Sequence, residues 1–206
     1  MSLSIQTSYA SLVTQNSLSS ANDKLTTAME RLSTGYAVNS SADDAAGLSI
    51  ATRMQSESDG MTVAMSNVED ASSMLSTADG ALDEMTDIVG RMKDLATSAA
   101  NGTYSDDDIS AMNDEYGELA EELGSVMSNT SFGGTSLLDT SSGKLGSGAV
   151  TFQVGASADE TLEVDISTSL GTVATGITTA QGTTLDSTTA SAQITAMEDL
   201  LSDVSD

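Results

Sequence analysis

Between Met61 and Ala99 the apolar side chains include Met61, Met65, Val68, Leu75, Ala78, Leu82, Met85, Val89, Met92, Ala96 and Ala99. Most of the steps alternate between three and four, with Ser72 filling the one gap. A 3.5-residue repeat lines these side chains along one stripe of a helix, and that stripe needs a second helix to cover it. The chain has no Pro, so the helical pattern runs unbroken from about Asp43 to Ala100. A helix of that span is roughly 85 Å long, far more than a compact globule uses. Gly60, Gly80 and Gly90 lie inside it, each costing about 1 kcal/mol relative to Ala. They mark either close contact with a neighbour or simple tolerance.

A second stripe follows at Ile109, Met112, Tyr116, Leu119, Leu123 and Val126. The link between the two is only a few residues, which predicts an antiparallel return. Asn101-Gly102 reads as a left-handed cap on the first helix. Ser105 reads as the N-cap of the second, with Asp106, Asp107 and Asp108 favoured by the helix dipole. That role also accounts for the acidic run better than Ca²⁺ binding, because the closing Glu and spacing of a calcium loop are missing.

The segment from about Ile5 to Leu32 also has helical period, with Leu25, Met29 and Leu32 on its stripe. It is rich in Ser, Thr and Asn, so it depends on a partner for stability. Glu30–Ile50, reading ERLSTGYAVNSSADDAAGLSI, joins it to the long helix. Gly35 is free to end a helix in the left-handed region, and Asn39 is a turn former. Asp43 and Asp44 place negative charge at a helix start. Ala45, Ala46 and Gly47 offer so little bulk that another backbone could pack closely.

After Ser131 the composition shifts to Ser, Thr and Gly. Gly133-Gly134 reads as a turn, and Val150/Phe152/Val154 with Leu162/Val164/Ile166 predict a β-hairpin. Thr168–Thr189 reads as a loop-rich insert. Helical period returns at Ile194, Met197, Leu201 and Val204. The expected organisation is therefore an N-terminal helix at 1–34, a joint and helix start at 35–56, and a helical rod at 57–140. A hairpin and loop-rich segment at 141–186 and a returning helix at 187–206 follow. The fold class is mainly α: a long, antiparallel, coiled-coil-like helical rod with a small β-hairpin region.

With 31 acidic against six basic residues the formal net charge is -25. Nucleic-acid binding and adsorption to an anionic membrane are both disfavoured, since each needs clustered Lys and Arg. There is no Cys and no His, which removes thiolate and imidazole metal sites and the usual nucleophile–base pairs. The residues therefore predict no enzyme, no cofactor and no metal. The acid excess is either adaptation to high salt or an ordinary acidic exterior. Asn39, Asn101 and Asn129 each fit an N-glycosylation acceptor pattern, read here as coincidence, and the Ser/Thr-rich segment reads as a polar loop region or an O-glycosylation target.

The joint, with its ERLSTG, Asn-Ser and DDAAGL-x-IA blocks, resembles the signature of bacterial flagellins. MSLSIQTSYASLVTQNSL at the start, ADGALDEM at Ala78–Met85 and RMKDLATSAANGTYSDDD at Arg91–Asp108 extend the resemblance. So do MSNTSFGGTSLLD at Met127–Asp139 and FQVGASADETLEV at Phe152–Val164. The opening block is most similar to lateral-type flagellins. A hook-filament junction protein is a related alternative, but those carry Pro after the paired acids, where this chain has Ala45.

The resemblance implies a self-assembling subunit of the flagellar filament, exported without a cleaved signal peptide and located outside the cell. Its implied partners are other flagellin subunits, the export machinery and the filament cap. Arg91, Leu95 and Glu115 match positions that a flagellin-sensing Toll-like receptor contacts in the family, or subunit contacts within the filament. Gly35, Asn39, Asp43, Asp44 and Gly47 carry the joint. Flagellins continue into a C-terminal helix that pairs with the first one. The expectation is therefore of a chain lacking that part, unable to form native filaments alone, and with a second role open as a soluble, non-polymerising ligand for a chaperone or innate immune receptor.

Overall fold

The computed structural model describes the backbone of residues 2–205 and the side chains of residues 9–205. It contains five helices and four short strands: α1 (Ser2–Thr34), α2 (Ser41–Ala99), α3 (Asp106–Asn129), β1 (Ser131–Phe132), β2 (Thr135–Ser136), β3 (Val150–Gln153), β4 (Thr161–Val164), α4 (Ser167–Gly182) and α5 (Ala190–Ser205). The mainly α class holds. The chain divides into two compact units, residues 1–59 and residues 60–206.

The first unit holds α1, the joint and the beginning of α2. The apolar stripe of α1 is solvent-exposed: Leu12, Leu25, Met29 and Leu32 are between 56% and 86% accessible. Gly35 has φ +77° and ends α1, donating its N–H to the Arg31 carbonyl at 2.9 Å. Asp44 has non-helical angles (φ -163°, ψ 97°), so a turn from Ser41 precedes the regular helix. Its carboxylate accepts from Gly47 N–H at 2.9 Å, which makes Asp44 the working N-cap. A Cβ on Gly47 would meet the Asp44 carboxylate at 2.5 Å. The small residue thus makes room for its own helix cap, where the sequence suggested room for another backbone.

The second unit holds the core. Met74, Ala78, Met85, Val89, Met92, Ala96 and Ala99 of α2 face Tyr116, Ala120, Leu123 and Met127 of α3 in one apolar cluster. Arg91 pairs with Glu115, and one cleft is lined by Ala81 and Glu84 together with Glu122 and Ser125. These pairings run in opposite directions along the two helices, so α3 returns antiparallel. The stripe is corrected at its start: Met61, Met65 and Val68 are exposed, and continuous burial begins at Met74. Near that exposed end α2 meets the hairpin segment, where Asn67 Nδ2 donates to the Gln153 carbonyl at 3.3 Å. Of the three helix-interior glycines, Gly60 lies tight against Ala156 (2.8 Å from a built Cβ), whereas Gly80 and Gly90 face open space.

The α2–α3 connection departs from the expected left-handed cap. Gly102 is not among the positive-φ residues. The chain instead turns through Asn101 N–H to Ser98 C=O (3.0 Å) and Tyr104 N–H to Asn101 C=O (3.4 Å). Ser105 is the N-cap as predicted, in a reciprocal capping box with Asp108: Asp108 N–H donates to Ser105 Oγ (3.3 Å) and Ser105 N–H to Asp108 Oδ2 (3.1 Å). The Ser105 hydroxyl also donates to Asp108 Oδ2 at 2.6 Å, and this bond, followed by that from Ser105 N–H, holds the Asp108 carboxyl below the usual range.

β1 and β2 form a tight antiparallel hairpin around Gly133-Gly134, both with positive φ, as a two-residue turn matching strand twist requires. Leu137, Leu138 and Leu145 then bury completely. The predicted second hairpin is present, with Val150 opposite Val164 and Phe152 opposite Leu162.

The main correction concerns Thr168–Thr189. Most of this stretch is α4, not loop. Leu170, Val173, Ile177 and Ala180 step three, four, three and are all buried. Thr175, Thr178, Thr179 and Thr183 turn their hydroxyls back onto carbonyls four residues earlier. Those bonds satisfy the polar groups locally, so a Gly/Thr-rich segment stays helical once its apolar stripe has a partner. In α5 the buried stripe is Ala190, Gln193, Met197, Leu200 and Val204, which leaves the predicted Ile194 and Leu201 half-buried.

Candidate functional site

Two exposed polar clusters contain the residues singled out from the sequence. The first is the joint. Asp43 Oδ1 accepts from Arg31 Nη2 at 2.9 Å, while Oδ2 accepts from the N–H groups of Asn39 (3.3 Å) and Ser40 (3.2 Å) and from Ser40 Oγ (3.3 Å). The Arg31 guanidinium, then the two backbone N–H groups, hold the Asp43 carboxyl below its ordinary range. So Asn39 meets Asp43 and Gly47 meets Asp44 in two consecutive devices, while Gly35 ends α1 and joins neither. Asp43 clasps the end of α1 to the linker, and Asp44 caps α2. Arg31 was not foreseen. The two partners are twelve residues apart and share no local periodicity, so only the folded turn brings them together.

The second cluster lies on α2 and α3. Arg91 Nη2 and Nε both donate to Glu115 Oε1, at 2.6 Å and 2.9 Å. Their side chains are 54% and 45% exposed. An ion pair this accessible contributes roughly 0–1 kcal/mol, so stability alone does not explain it. Leu95, the third residue of the proposed patch, is 5% exposed and belongs to the core beneath. The polar pair is therefore accessible at the surface, and Leu95 is not. Lys93 beside it bridges to Glu198 of α5 at 3.0 Å.

A buried polar contact that the stripes did not announce joins α3 to α5. Tyr116 Oη donates to Gln193 Oε1 at 2.8 Å and lies 3.8 Å from Met197 Sδ. Burial pushes the Tyr116 hydroxyl up to about 12. The signal for it was present in the sequence: Gln193 sits three residues after Ala190 and four before Met197, on the apolar face. Among the described residues, no group of three or more Asp or Glu side chains is placed to hold a metal ion. No described helix is long and apolar enough to cross a membrane.

The architecture is one of long helices with a small hairpin module. The crystal structure of Bacillus cereus flagellin is similar to this chain with a TM-score of 0.54 and 32% identity, over 66% of this chain and 75% of that one. The family described as "Bacterial flagellin N-terminal helical region" matches residues 5–143. Polar flagellin F of Vibrio parahaemolyticus is 42% identical over 81% of this chain and 43% of its own length. B-type flagellin of Pseudomonas aeruginosa is 42% identical over 81% of this chain and 33% of its own length. The chain belongs to the bacterial flagellin family. It spans less than half the length of these two relatives.

Proposed function

We propose that this chain serves as a structural subunit of an extracellular bacterial flagellar filament, polymerising with other flagellin subunits and catalysing no reaction. The observation that carries this reading is the uncovered apolar stripe on α1, with Leu25, Met29 and Leu32 at helical spacing and more than half exposed. A row of large apolar side chains facing water marks an association surface. Contacts between identical subunits that do not close on themselves build a helical filament. Family membership supports the same reading. Export through a narrow channel in an unfolded state fits a chain with no Cys, since no disulfide must be reduced first.

Expression in a strain that makes its own flagellin, followed by electron microscopy of surface filaments with an antibody to this chain, tests the proposal. Labelled filaments that disappear in a Leu25→Asp/Met29→Asp variant support it. Secretion of protein that never enters filaments overturns it.

A second reading rests on Arg91 and Glu115, whose pairing is exposed and contributes little to stability. We infer a protein contact there, either to a neighbouring subunit or to an innate immune receptor. Arg91→Glu tests it: loss of filament assembly assigns the contact to a subunit, and loss of receptor signalling by soluble protein assigns it to the receptor. No change in either overturns this reading.

A further inference from the structure

We propose that Asn101 is a site of spontaneous covalent modification, deamidating through a cyclic imide formed with the main-chain nitrogen of Gly102. The observation is a contrast among the asparagines. Asn16, Asn22, Asn67 and Asn113 lie inside helices, where the following N–H is bound to a carbonyl four residues earlier. After Asn129, Thr130 N–H donates to Val126 C=O at 3.1 Å. After Asn39, Ser40 N–H donates to Asp43 Oδ2 at 3.2 Å. Asn101 differs. Among the described residues the N–H of Gly102 has no hydrogen-bond partner.

Three further features favour attack by that nitrogen. Gly102 has no side chain to block it, and its surroundings are open, with no atom within 4 Å of a built Cβ. Asn101 is exposed, so water reaches it. Thr103 N–H donates to Asn101 Oδ1 at 3.3 Å, which turns the carboxamide back over the Gly102 peptide and polarises its carbonyl toward a nucleophile. In the first step Gly102 N gives up its proton to solvent base and bonds to Asn101 Cγ. The Cγ–Nδ2 bond breaks and ammonia leaves. Water then opens the imide at either carbonyl, giving Asp or isoaspartate at position 101. The balance is one water consumed, one ammonia released and one carboxylate gained, with no oxidant or reductant. The new charge appears just beyond the C-terminal end of α2, where the last carbonyls already carry partial negative charge, and shortly before Asp106–Asp108.

The test is to age the full chain at mildly alkaline pH, digest it, and follow each Asn by mass spectrometry together with isoaspartate-specific enzymatic methylation. Asn101 is expected to convert at least about tenfold faster than Asn39 or Asn129, and Gly102→Ala to slow it by about as much. Ala fits the open space and Gly102 is not in the left-handed region, so the variant keeps the fold. Conversion of Asn101 at the rate of Asn39, or an unchanged rate in Gly102→Ala, overturns the proposal.

Discussion

Tyr116→Phe isolates a buried polar link between α3 and α5. The substitution removes a single oxygen and leaves the ring packed as before. Gln193, 5% exposed, then keeps a carbonyl oxygen with its donor gone. An orphaned buried acceptor costs about 1–3 kcal/mol, against about 1 kcal/mol for the net value of an ordinary hydrogen bond. For a unit of this size each kcal/mol moves Tm by roughly 2–4 °C, so Tyr116→Phe should lower it by about 2–12 °C. Urea denaturation followed by far-ultraviolet circular dichroism measures the free energy directly. Replacing both partners by apolar groups of similar shape removes the orphan, so Tyr116→Phe/Gln193→Met should recover most of the loss.

The alkaline limb offers a second readout. With the hydroxyl at about 12 in the folded chain and 10.0 as its ordinary value, this group adds no pH dependence to stability below pH 10. Stability then falls as pH rises from 10 toward 12, because only the unfolded chain readily loses the proton. Tyr116→Phe removes that contribution. A single mutant within about 0.3 kcal/mol of the parent, or a double mutant no more stable than the single, would refute the argument.

Three other outcomes follow from the geometry. A Cβ on Gly143 would sit 2.5 Å from the Asp139 carbonyl oxygen and 2.6 Å from the Leu137 carbonyl oxygen, so Gly143→Ala must displace backbone. A loss of about 1–3 kcal/mol in urea melts is expected, and parental stability would contradict the tight turn. Asp139 and Asp186 are held at about 2 by the Ser141 and Thr188 hydroxyls and the adjacent N–H groups, against an ordinary 3.8. Their contribution is complete above pH 3.8 and is lost as pH falls toward 2, so Asp139→Asn/Asp186→Asn should flatten the acid limb of Tm against pH in that window. Ser105→Ala breaks the α3 capping box and should cost about 1 kcal/mol, with faster hydrogen exchange confined to the first turn of α3. Uniform exchange throughout the chain would contradict that locality.

The helices were legible wherever apolar spacing and capping chemistry agreed. The stripe positions Ala78, Met85, Val89, Met92, Ala96 and Ala99, the Ser105 cap and the Gly133-Gly134 turn are local facts that appear where the residues place them, whereas Leu75 and Leu82 are only partly buried and Met74 is buried beside them. Hairpin alternation was equally plain, because side chains on a strand divide between two faces at every second residue. α4 was hidden because Gly and Thr are weak helix formers, and its stripe counts only when α3 and α5 supply a surface to bury it. The exposed pair at Arg91 and Glu115 was found through resemblance, since nothing in either residue's own neighbourhood marks it.

By itself, then, the sequence determined the α class, the antiparallel return of α3, the Gly133-Gly134 turn, the β3–β4 hairpin and the location of the joint, because these depend on side-chain period and on residues a few positions apart. The tertiary structure alone decided where burial begins along α2, which polar groups meet across helices, and that Asp43 clasps Arg31 while Asp44 caps α2. Each of those depends on distances between residues far apart in the chain, or on one backbone angle choosing between two adjacent carboxylates. The repeat in the sequence carries neither.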